Sequence, residues 1–424
     1  MWSRENVELV QREFKEVFGG NPEVIVSAPG RLDFLNTHQD YKGLPVVAVG
    51  INLRTYVAAR RVDSDYVVVG SANIREESEE YIDKFSIQNP VLLDKRKLFG
   101  NYIRAAISLL KSQGHRVKGV EIWIRSWVPI GSGLGSSGTL LVSVLAALNE
   151  ILDLGLSPKD IAEYAYIAEH DVMGIPCGRL DQYAAAFGNI VYIETKPPYN
   201  VEVLPAIRGY FTVVDTGIRH STADIHPVRQ REIDEGLSKL LEVVPENIKA
   251  LLGRRYWEPR WELLDLKLLE PYLKLLPEKP RNRILFTLKT HRSTMLAIKV
   301  IKGERISTDE LAEALETPYE EVKDVMIKGD IGIIGKIMTY QHTLLSRLYD
   351  VSLPQIDTLV EKLISFGALG AKLSGAGLGG AVIALFERKD VAEEAVRKIV
   401  QLGYGARGWV VEVDRGVITH YKAG

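Results

Sequence analysis

The chain has 424 residues, of which 46% are hydrophobic and 25% are charged. This length exceeds the size at which a single hydrophobic core keeps growing, so two domains are expected. The formal net charge is only −2, which removes any general electrostatic reason to expect nucleic acid or an anionic membrane as a partner. A strongly anionic ligand would therefore have to be held by local groups.

Three features of the sequence predict a cytoplasmic protein. Cys177 is the single cysteine, so no intramolecular disulfide can form, as is usual in a reducing compartment. Residues 1–18 have the pattern of a polar amphipathic helix and lack the apolar core of a secretion signal. No apolar stretch approaches the roughly 20 residues that a membrane span needs.

In the first half of the chain, residue type and spacing predict a mixture of strands and helices. Strands are predicted at 24–27, 46–59, 67–70, 81–87 and 120–126, and the first is expected to break at Ala28-Pro29-Gly30. Helices are predicted at 1–18, 100–113, 139–152, 158–173 and 180–187. Ser157 followed by Pro158 is typical of an N-cap and a first helical position.

The second half is predicted to be mainly helical, with strands at its beginning and end. The predicted elements are a strand at 210–215, a mainly helical segment at 229–345 with a polar connector at 253–261, a helix at 352–366 capped by Ser352, a glycine-rich turn and apolar strand within 370–385, a helix at 389–402, and strands at 408–414 and 416–421. The whole pattern predicts an α+β protein with domains at 1–205 and 206–424. The charged segments 245–275 and 303–325 are expected to form surface helices.

The strongest local signal is the run Pro-Ile-Gly-Ser-Gly-Leu-Gly-Ser-Ser-Gly at 129–138, directly before an apolar predicted helix. A glycine- and serine-rich loop at a helix N-terminus exposes backbone N–H groups and the positive end of the helix dipole, which suits a polyphosphate. The run lacks the Gly-Lys-Ser/Thr triplet of a Walker A loop and the acidic residue that follows a Rossmann fingerprint. The alternative interpretation is a simple turn before a buried helix.

A second glycine-rich stretch, Ser-Gly-Ala-Gly-Leu-Gly-Gly, lies at 374–380. Because it precedes a strand, the helix dipole gives less support for a ligand here, and a tight β-turn is an equally good interpretation. Two such loops in one chain favour a divided nucleotide site.

Ala28-Pro29-Gly30-Arg31, the loop at 129–138 and the stretch at 374–380 resemble the three ordered motifs of the GHMP kinases. Further matches resemble the galactokinases: His38, Asp40, Tyr41 and Gly43 after Arg31, Ala168-Glu169-His170, the segment 174–178 with Asp181-Gln182, and the stretch 215–221. The matches extend over residues 24–385. The resemblance implies a two-domain α+β GHMP kinase architecture, with a ribosomal S5 domain 2-like N-terminal domain, a ferredoxin-like C-terminal domain and a site in the cleft between them.

The resemblance also implies a function, the ATP-dependent phosphorylation of a monosaccharide at its anomeric C1 hydroxyl. Asp181 would be the base, and Arg31 would pair with it and stabilise charge on the transferred phosphate. Glu169 and Ser137 would hold Mg²⁺, with Ser136 as the alternative ligand. The residues expected to bind ATP are Gly131, Ser132, Gly133, Leu134, Gly135, Ser136, Ser137, Gly375 and Gly377. Without the family, Asp181 is more typical of a helix cap and Arg31 of a surface residue after a turn.

The residues expected to bind the sugar are Thr37, His38, Asp40, Gly178 and His226. Two of them depart from the galactokinase pattern, because Thr37 stands where galactokinases have a glutamate and Ile225-His226 where they have an acidic residue and a tyrosine. These changes remove hydrogen-bonding groups from the implied pocket, and such losses change specificity strongly. Galactose is the family's acceptor, and a hexuronic acid, a pentose or another polyol is the alternative.

A different class of function is a non-catalytic relative that senses sugar and ATP. The presence of Arg31, Ser137, Glu169 and Asp181 favours an enzyme instead. The histidines lack the spacing typical of a transition-metal site. We expect a monomer or a homodimer whose partners are ATP, Mg²⁺ and a sugar, with no nucleic acid and no membrane.

Overall fold

The computed structural model describes residues 2–78, 80–93, 98–219 and 222–423. They form two compact units, each assembled from separate segments. The first comprises Met1–Leu32, Val49–Val191 and Asp414–Gly424, and the second comprises Asp33–Ala48 and Tyr192–Val413. The predicted division into 1–205 and 206–424 differs from this one, because a short N-terminal segment belongs to the second unit and the C-terminal strand to the first.

The first unit is built on a mixed sheet. The strands that contribute to it are β1 (Val24–Leu35), β2 (Val46–Val62), β3 (Tyr66–Ser71), β4 (Ile82–Ser86), β5 (Gly119–Ser126), β6 (Ile190–Ile193) and β12 (Ile418–Lys422). Six of them follow the order β12-β1-β2-β5-β3-β4, and β6 pairs with β2. The C-terminal strand β12 is antiparallel to β1, which is why the end of the chain belongs to the first unit.

The helices of this unit are α1 (Trp2–Phe18), α2 (Ala72–Arg75), α3 (Leu98–Ser112), α4 (Ser136–Leu152), α5 (Pro158–Ile167), a π-helical turn (Ala168–Val172) and α6 (Leu180–Phe187). Helix α4 is buried along most of its length, as expected for a helix that is apolar on all sides. Ser157 caps α5 in a reciprocal capping box with Asp160, so this predicted cap is confirmed. The predicted helix to residue 173 changes to π geometry at its end.

Strand β1 does not break at Ala28-Pro29-Gly30, and this prediction was wrong. Its pairing with β12 covers Val24–Ser27, so the missing N–H of Pro29 falls beyond that ladder, where proline is tolerated. The chain stays extended because other groups take over its backbone bonds. The N–H of Arg31 donates to the Leu134 carbonyl at 2.9 Å, and the Thr139 hydroxyl donates to the Pro29 carbonyl at 3.1 Å.

The second unit contains a four-stranded antiparallel sheet with the order β11-β8-β10-β9. Its strands are β8 (Tyr210–Asp215), β9 (Gly370–Ser374), β10 (Ala381–Phe386) and β11 (Arg407–Val411), and β7 (Val201–Leu204) precedes them. Helices lie between β8 and β9 and between β10 and β11 along the chain, which is the βαββαβ arrangement of a ferredoxin-like fold. The predicted fold of the C-terminal half is confirmed.

The helices of the second unit are α7 (Thr222–Val243), α8 (Glu246–Lys249), α9 (Leu266–Leu273), α10 (Glu278–Ile301), α11 (Thr308–Leu315), α12 (Tyr319–Ile327), α13 (Gly329–Arg347), α14 (Pro354–Ser365) and α15 (Lys389–Gln401). The prediction that Ser352 caps helix α14 was wrong, because the N-cap of this helix is Leu353. The Ser352 hydroxyl instead donates to Asp357 at 2.6 Å. Among the helices in the described ranges, none combines the length and the apolar character that a bilayer span requires.

The segment 245–275 is more than a surface addition. Trp261, Leu269 and Leu273 are buried and form a hydrophobic cluster with Leu237 of α7 and Ile284 of α10. Apolar side chains of this size contribute about 1.5–3 kcal/mol each when they are buried. The segment therefore supplies a core of its own, and the prediction of plain surface helices was wrong there.

Candidate active site

The glycine-serine loop at 129–138 ends at the N-terminus of α4. Helix α4 begins at Ser136, with Gly135 at its N-cap, so the helix starts three residues earlier than predicted. Gly131, Gly133 and Gly135 have φ values of 71°, 74° and 74°, a left-handed conformation that glycine adopts without steric cost. Ser136 and Ser137 occupy the first turn of α4, where backbone N–H groups have no helical partner and bind anions readily.

Two other loop residues have buried groups that hold the loop in place. Leu134 is 1% exposed, and its carbonyl accepts the Arg31 N–H. Ser132 is fully buried, and its hydroxyl donates to the carbonyl of Pro129, the first residue of the loop, at 2.7 Å. Leu134 and Ser132 thus hold the shape of the loop, and the exposed Gly131 and Gly133 leave its backbone open.

Arg31 and Asp181 form an ion pair, as the sequence predicted. Asp181 Oδ1 accepts from Arg31 Nε at 2.8 Å and lies 2.7 Å from Arg31 Nη2. The remaining nitrogen, Nη1, donates to the Gly133 carbonyl. One guanidinium therefore connects the carboxylate to the glycine-serine loop, in the forked geometry that suits arginine.

Gly138 allows Asp181 to lie this close to α4. A Cβ atom at residue 138 would be 2.8 Å from the Asp181 Cβ, closer than non-bonded carbon atoms approach. The glycine that closes the loop thus also permits the contact between α4 and α6. Gly178 lies exposed in the turn before α6, next in the chain to Arg179, whose guanidinium pairs with Glu163 at 2.7 Å.

Glu169 is 3% exposed and lies in the π-helical turn, a geometry that is frequent at functional sites. Gln182 Nε2 donates to its Oε2 at 2.7 Å, and the Ser137 hydroxyl lies nearby. Burial is the main cause that raises the pKa of Glu169, with the nearby Asp181 as a further cause, while Ser137 and Gln182 oppose the shift. The predicted partners Glu169 and Ser137 are therefore neighbours in the structure.

This oxygen-rich pair suits a hydrated Mg²⁺ better than a transition metal. Among the described residues there is no group of three or more His, Cys, Asp or Glu side chains that could hold a metal ion. Magnesium bound to a nucleotide typically keeps several waters and takes one or two protein ligands. The residues present fit that pattern.

In the second unit, Thr37 belongs to a buried hydrogen-bond network. Its hydroxyl donates to Asp33 Oδ1 at 3.0 Å and accepts from Lys372 Nζ at 2.9 Å. The same ammonium donates to the Asp33 carbonyl at 3.0 Å. Lys372 has no exposed surface and Asp33 is 7% exposed, so Thr37 bridges two charged groups of opposite sign. Its only hydrogen already has an acceptor, which leaves Thr37 unable to donate to a sugar without breaking the bridge.

His38 is oriented by the second glycine-rich stretch. Its Nε2 donates to the Ala376 carbonyl at 2.9 Å, so in the neutral ring Nδ1 is the acceptor. The His226 ring centroid lies 5.2 Å away, which brings these two predicted residues together. Burial, followed by the nearby His226 and Lys42, holds the pKa of His38 well below its usual value, and burial also lowers the pKa of His226. Both rings are neutral at pH 7.

Asp40 is the acidic residue of this group. It is half-buried and lies in a short 3₁₀ turn, Asp40–Lys42, that Gly43 ends with a left-handed φ of 77°. Burial, with added repulsion from Asp33, raises the pKa of Asp40 to about 6. The carboxylate therefore titrates close to the physiological range.

The stretch 374–380 is a turn between the antiparallel strands β9 and β10. Gly375 and Gly377 have φ values of 87° and 95°, and a Cβ atom at Gly377 would be 2.3 Å from the Val351 carbonyl oxygen. The connection 375–380 between the paired Ser374 and Ala381 is longer than the tight β-turn that was one interpretation. Its ATP contacts stay a prediction. Of the nearby motif 215–221, His220 and Ser221 lie outside the described residues.

Sequence reasoning missed two buried lysines in the second unit. Besides Lys372, Lys42 is fully buried, and its Nζ donates to Gln39 and Thr287 at 3.1 and 3.0 Å while lying 4.6 Å from the Tyr349 ring centroid. A lone lysine inside the apolar strand β9 was a visible signal for Lys372. Nothing in the local sequence distinguishes Lys42 from a surface lysine.

Three family sequence models match the chain. The GHMP kinases N terminal domain matches residues 101–189, the GHMP kinases C terminal domain matches 307–405, and the galactokinase galactose-binding signature matches 12–61. With the ferredoxin-like topology and the loop at α4, these matches define the class of the protein as that of the GHMP kinases, which use ATP to phosphorylate small molecules.

Relatives over the whole chain narrow this class. The galactokinase of Roseiflexus sp. (strain RS-1) is 32% identical over 91% of this chain and 88% of its own length, and that of Pyrococcus furiosus is 28% identical over 93% of this chain and 99% of its own. The chain belongs to the galactokinase family and is an ATP-dependent sugar kinase. The predicted family, fold class and type of enzyme are confirmed.

Solved structures share the same fold. Lactococcus lactis galactokinase complexed with galactose has a TM-score of 0.76 at 22% identity, covering 97% of this chain and 99% of that one. The Methanococcus jannaschii mevalonate kinase has a TM-score of 0.59 at 18% identity, covering 93% and 99%. At these identities the likeness concerns the fold alone.

Proposed function

We propose that the protein transfers the γ-phosphoryl group of ATP to the C1 hydroxyl of galactose, and that Asp181 is the base. The observation that carries this proposal is the contact of one guanidinium, that of Arg31, with both the Asp181 carboxylate and the loop at the start of α4. Phosphoryl transfer needs a positioned hydroxyl, a group that accepts its proton and donors that neutralise the phosphates. The first unit supplies the group that accepts the proton and the donors that neutralise the phosphates, and Arg31 links the two.

In this mechanism Asp181 removes the hydroxyl proton as the new O–P bond forms and the bond from the γ-phosphorus to the bridging oxygen of ADP breaks. Both contacts with Arg31 fall on Oδ1, so Oδ2 is the oxygen that takes the proton. The backbone N–H groups at Ser136 and Ser137 and the dipole of α4 hold the phosphates. Ser137 and Glu169 would hold Mg²⁺, which neutralises phosphate charge when it is bound. A cytoplasmic setting, where MgATP is plentiful, is part of this proposal.

The second unit contributes the sugar contacts in this proposal. A carboxylate accepts hydrogen bonds from two neighbouring hydroxyls, which suits Asp40, and the free Nδ1 of a neutral His38 accepts one more. Galactose is proposed as the acceptor on the strength of the matched galactose-binding signature. A hexuronic acid is the second candidate, because Thr37 stands where galactokinases have a glutamate, and its neutral hydroxyl removes a negative charge that would repel a sugar carboxylate.

The test is a panel of galactose, glucose, galacturonate, glucuronate and arabinose with MgATP, with phosphorus NMR of the products. We expect galactose to give the largest kcat/KM and the product to carry phosphate on the anomeric oxygen. A larger kcat/KM with a uronate would replace galactose by the second candidate. Nucleotide and sugar binding without turnover on any of these acceptors would contradict the proposal and favour a sensor.

The pKa of Asp40 predicts a pH dependence of sugar binding. With a pKa of about 6, Asp40 is a carboxylate at pH 7 and becomes protonated below pH 6, where it loses acceptor sites. We expect KM for the sugar to rise by about tenfold between pH 7 and pH 5, following the fraction of ionised carboxyl. Steady-state kinetics over this range measures it, with KM for ATP as the internal comparison. A sugar KM that stays constant in the parent, or that keeps the same pH dependence in Asp40→Asn, would exclude this role.

A further inference from the structure

Gln182 is a fully buried side chain in the first unit, adjacent in the chain to Asp181, with one polar atom left over. Its Nε2 donates to Glu169 Oε2 at 2.7 Å and lies 3.8 Å from Cys177 Sγ. Its Oε1 is buried and has no hydrogen-bond partner among the described residues. The amide orientation follows from chemistry, because a carboxylate oxygen can only accept and so must face the N–H side.

An unpaired buried carbonyl oxygen is unusual in a folded protein. Leaving such an acceptor without a partner costs about 1–3 kcal/mol, and the great majority of buried polar atoms are paired. A sequence that keeps glutamine in a place where methionine or leucine would fill the same volume therefore indicates a further partner for Oε1. That partner is a donor or a cation.

The neighbours of Gln182 identify the chemistry of this partner. Ser137 and Asp181 both lie close enough to Glu169 to affect the pKa of its carboxyl group. The Tyr102 hydroxyl is a further neighbour of Ser137. Carboxylate, hydroxyl and amide oxygens converge here with a surplus of negative charge, and hard oxygen atoms are the preferred surroundings of a hydrated Mg²⁺.

We propose that Gln182 is a positioning residue for the magnesium of MgATP, with its N–H group fixing the Glu169 carboxylate and its Oε1 completing the oxygens that surround the hydrated cation. This inference rests on the proposed roles of Glu169 and Ser137. Because Gln182 follows the proposed base Asp181 on helix α6, this helix would carry both the base and a residue that positions the metal ligand. Groups that orient a metal ligand in this way typically affect metal affinity by about 10–100-fold.

The test is calorimetric titration of Mg²⁺ into the enzyme saturated with a non-hydrolysable ATP analogue. Gln182→Met keeps the volume and removes both polar groups, and we expect Mg²⁺ to bind about 10–100-fold more weakly. Gln182→Glu keeps the shape of the side chain but replaces the N–H group that bonds Glu169 by a second carboxylate. A bound cation relieves the repulsion between the two carboxylates, and affinity rises with the number of charged oxygen ligands, so we expect tighter Mg²⁺ binding. Opposite changes in two variants at one position cannot arise from a general loss of folding.

Cys177→Ala is the matched control, since it removes the weaker partner of the same amide and leaves Glu169 and Oε1 in place. Its Mg²⁺ affinity is expected to stay within about twofold of the parent. Unchanged Mg²⁺ affinity in Gln182→Met and Gln182→Glu would overturn the inference. If Gln182→Met does not fold, Gln182→Glu alone decides, because glutamate has the same length and shape as glutamine.

Glu169→Gln separates this inference from the proposed function. If Glu169→Gln weakens Mg²⁺ binding and both Gln182 variants leave it unchanged, only the role of Gln182 is lost. If Glu169→Gln also binds Mg²⁺ like the parent, the proposed metal site itself is wrong. Sugar binding, measured by the same method without nucleotide, is expected to be the same in all of these variants.

Discussion

Replacement of Asp181 by asparagine is expected to lower kcat by about 10²–10⁴-fold, the range that general base catalysis contributes. The amide keeps the shape of the carboxylate but cannot accept the hydroxyl proton, and Arg31 loses the charge with which it pairs at 2.7 Å. ATP binding should change little, because the N-terminus of α4 and its loop are untouched. Steady-state kinetics and calorimetric titration of the ATP analogue measure the two properties separately.

Asp171→Asn is the matched control for this variant. Asp171 lies in the same π-helical turn as Glu169. Its side chain is 59% exposed, and its carboxylate contacts His170. We expect this exposed carboxylate to leave kcat within about twofold of the parent, as for most surface substitutions. A fully active Asp181→Asn enzyme would remove Asp181 from the chemistry and leave the ion pair with Arg31 as a structural contact.

Lys372→Met is expected to have the largest effect on stability in the second unit, lowering the free energy of unfolding by about 3–5 kcal/mol at pH 7. The substitution leaves the Asp33 carboxylate buried beside Thr37 without the cation that balances it, and an uncompensated buried charge costs this much. The turn that carries His38 and Asp40 follows Thr37 directly, so KM for the sugar should also rise. Urea unfolding and steady-state kinetics measure the two effects.

Lys389→Met is the control, because the Lys389 side chain is 52% exposed and its pair with Glu412 is a surface contact that contributes little. The double variant Asp33→Asn with Lys372→Met removes both charges and is expected to regain part of the lost stability. Equal urea midpoints for the parent and Lys372→Met would show that the bridge contributes nothing. So would a double variant that is less stable by the full sum of the two single changes.

The same lysine predicts a change of stability with pH. Burial lowers the pKa of Lys372 from 10.5 to about 8, so between these values the unfolded chain binds more protons than the folded one. Stability from this group therefore increases as pH rises from about 8 towards 10.5. Lys372→Met should lack that increase, which separates the charge of the lysine from its volume.

Local features of the fold were predictable because short stretches of sequence determine them. The capping box at Ser157 and Asp160, the apolar helix α4 and the left-handed glycines before it all follow from residues within one or two turns. The motifs that resemble galactokinases are local in the same sense, and they correctly predicted that Arg31 pairs with Asp181.

Features that depend on distant residues were not predictable. Strand β1 continues past Pro29 because Thr139 and Leu134, more than 100 residues further along, bind its backbone. Ser352 fails to cap α14 because Asp357 takes its hydroxyl hydrogen. In each case the outcome depends on a hydrogen bond that the local sequence pattern does not indicate.

The sequence by itself determined the family and the α+β fold, and it predicted the residues that would handle phosphate, since these follow from local motifs and their order. Only the tertiary structure decided which hydrogen-bond partners the buried polar side chains have. Thr37 donates its hydroxyl hydrogen to Asp33 and accepts a hydrogen bond from Lys372, which is 335 residues away. Gln182 donates to Glu169, while its Oε1 has no hydrogen-bond partner among the described residues. Burial and hydrogen-bond valence are properties of the folded surroundings, so no spacing in the chain could have revealed them.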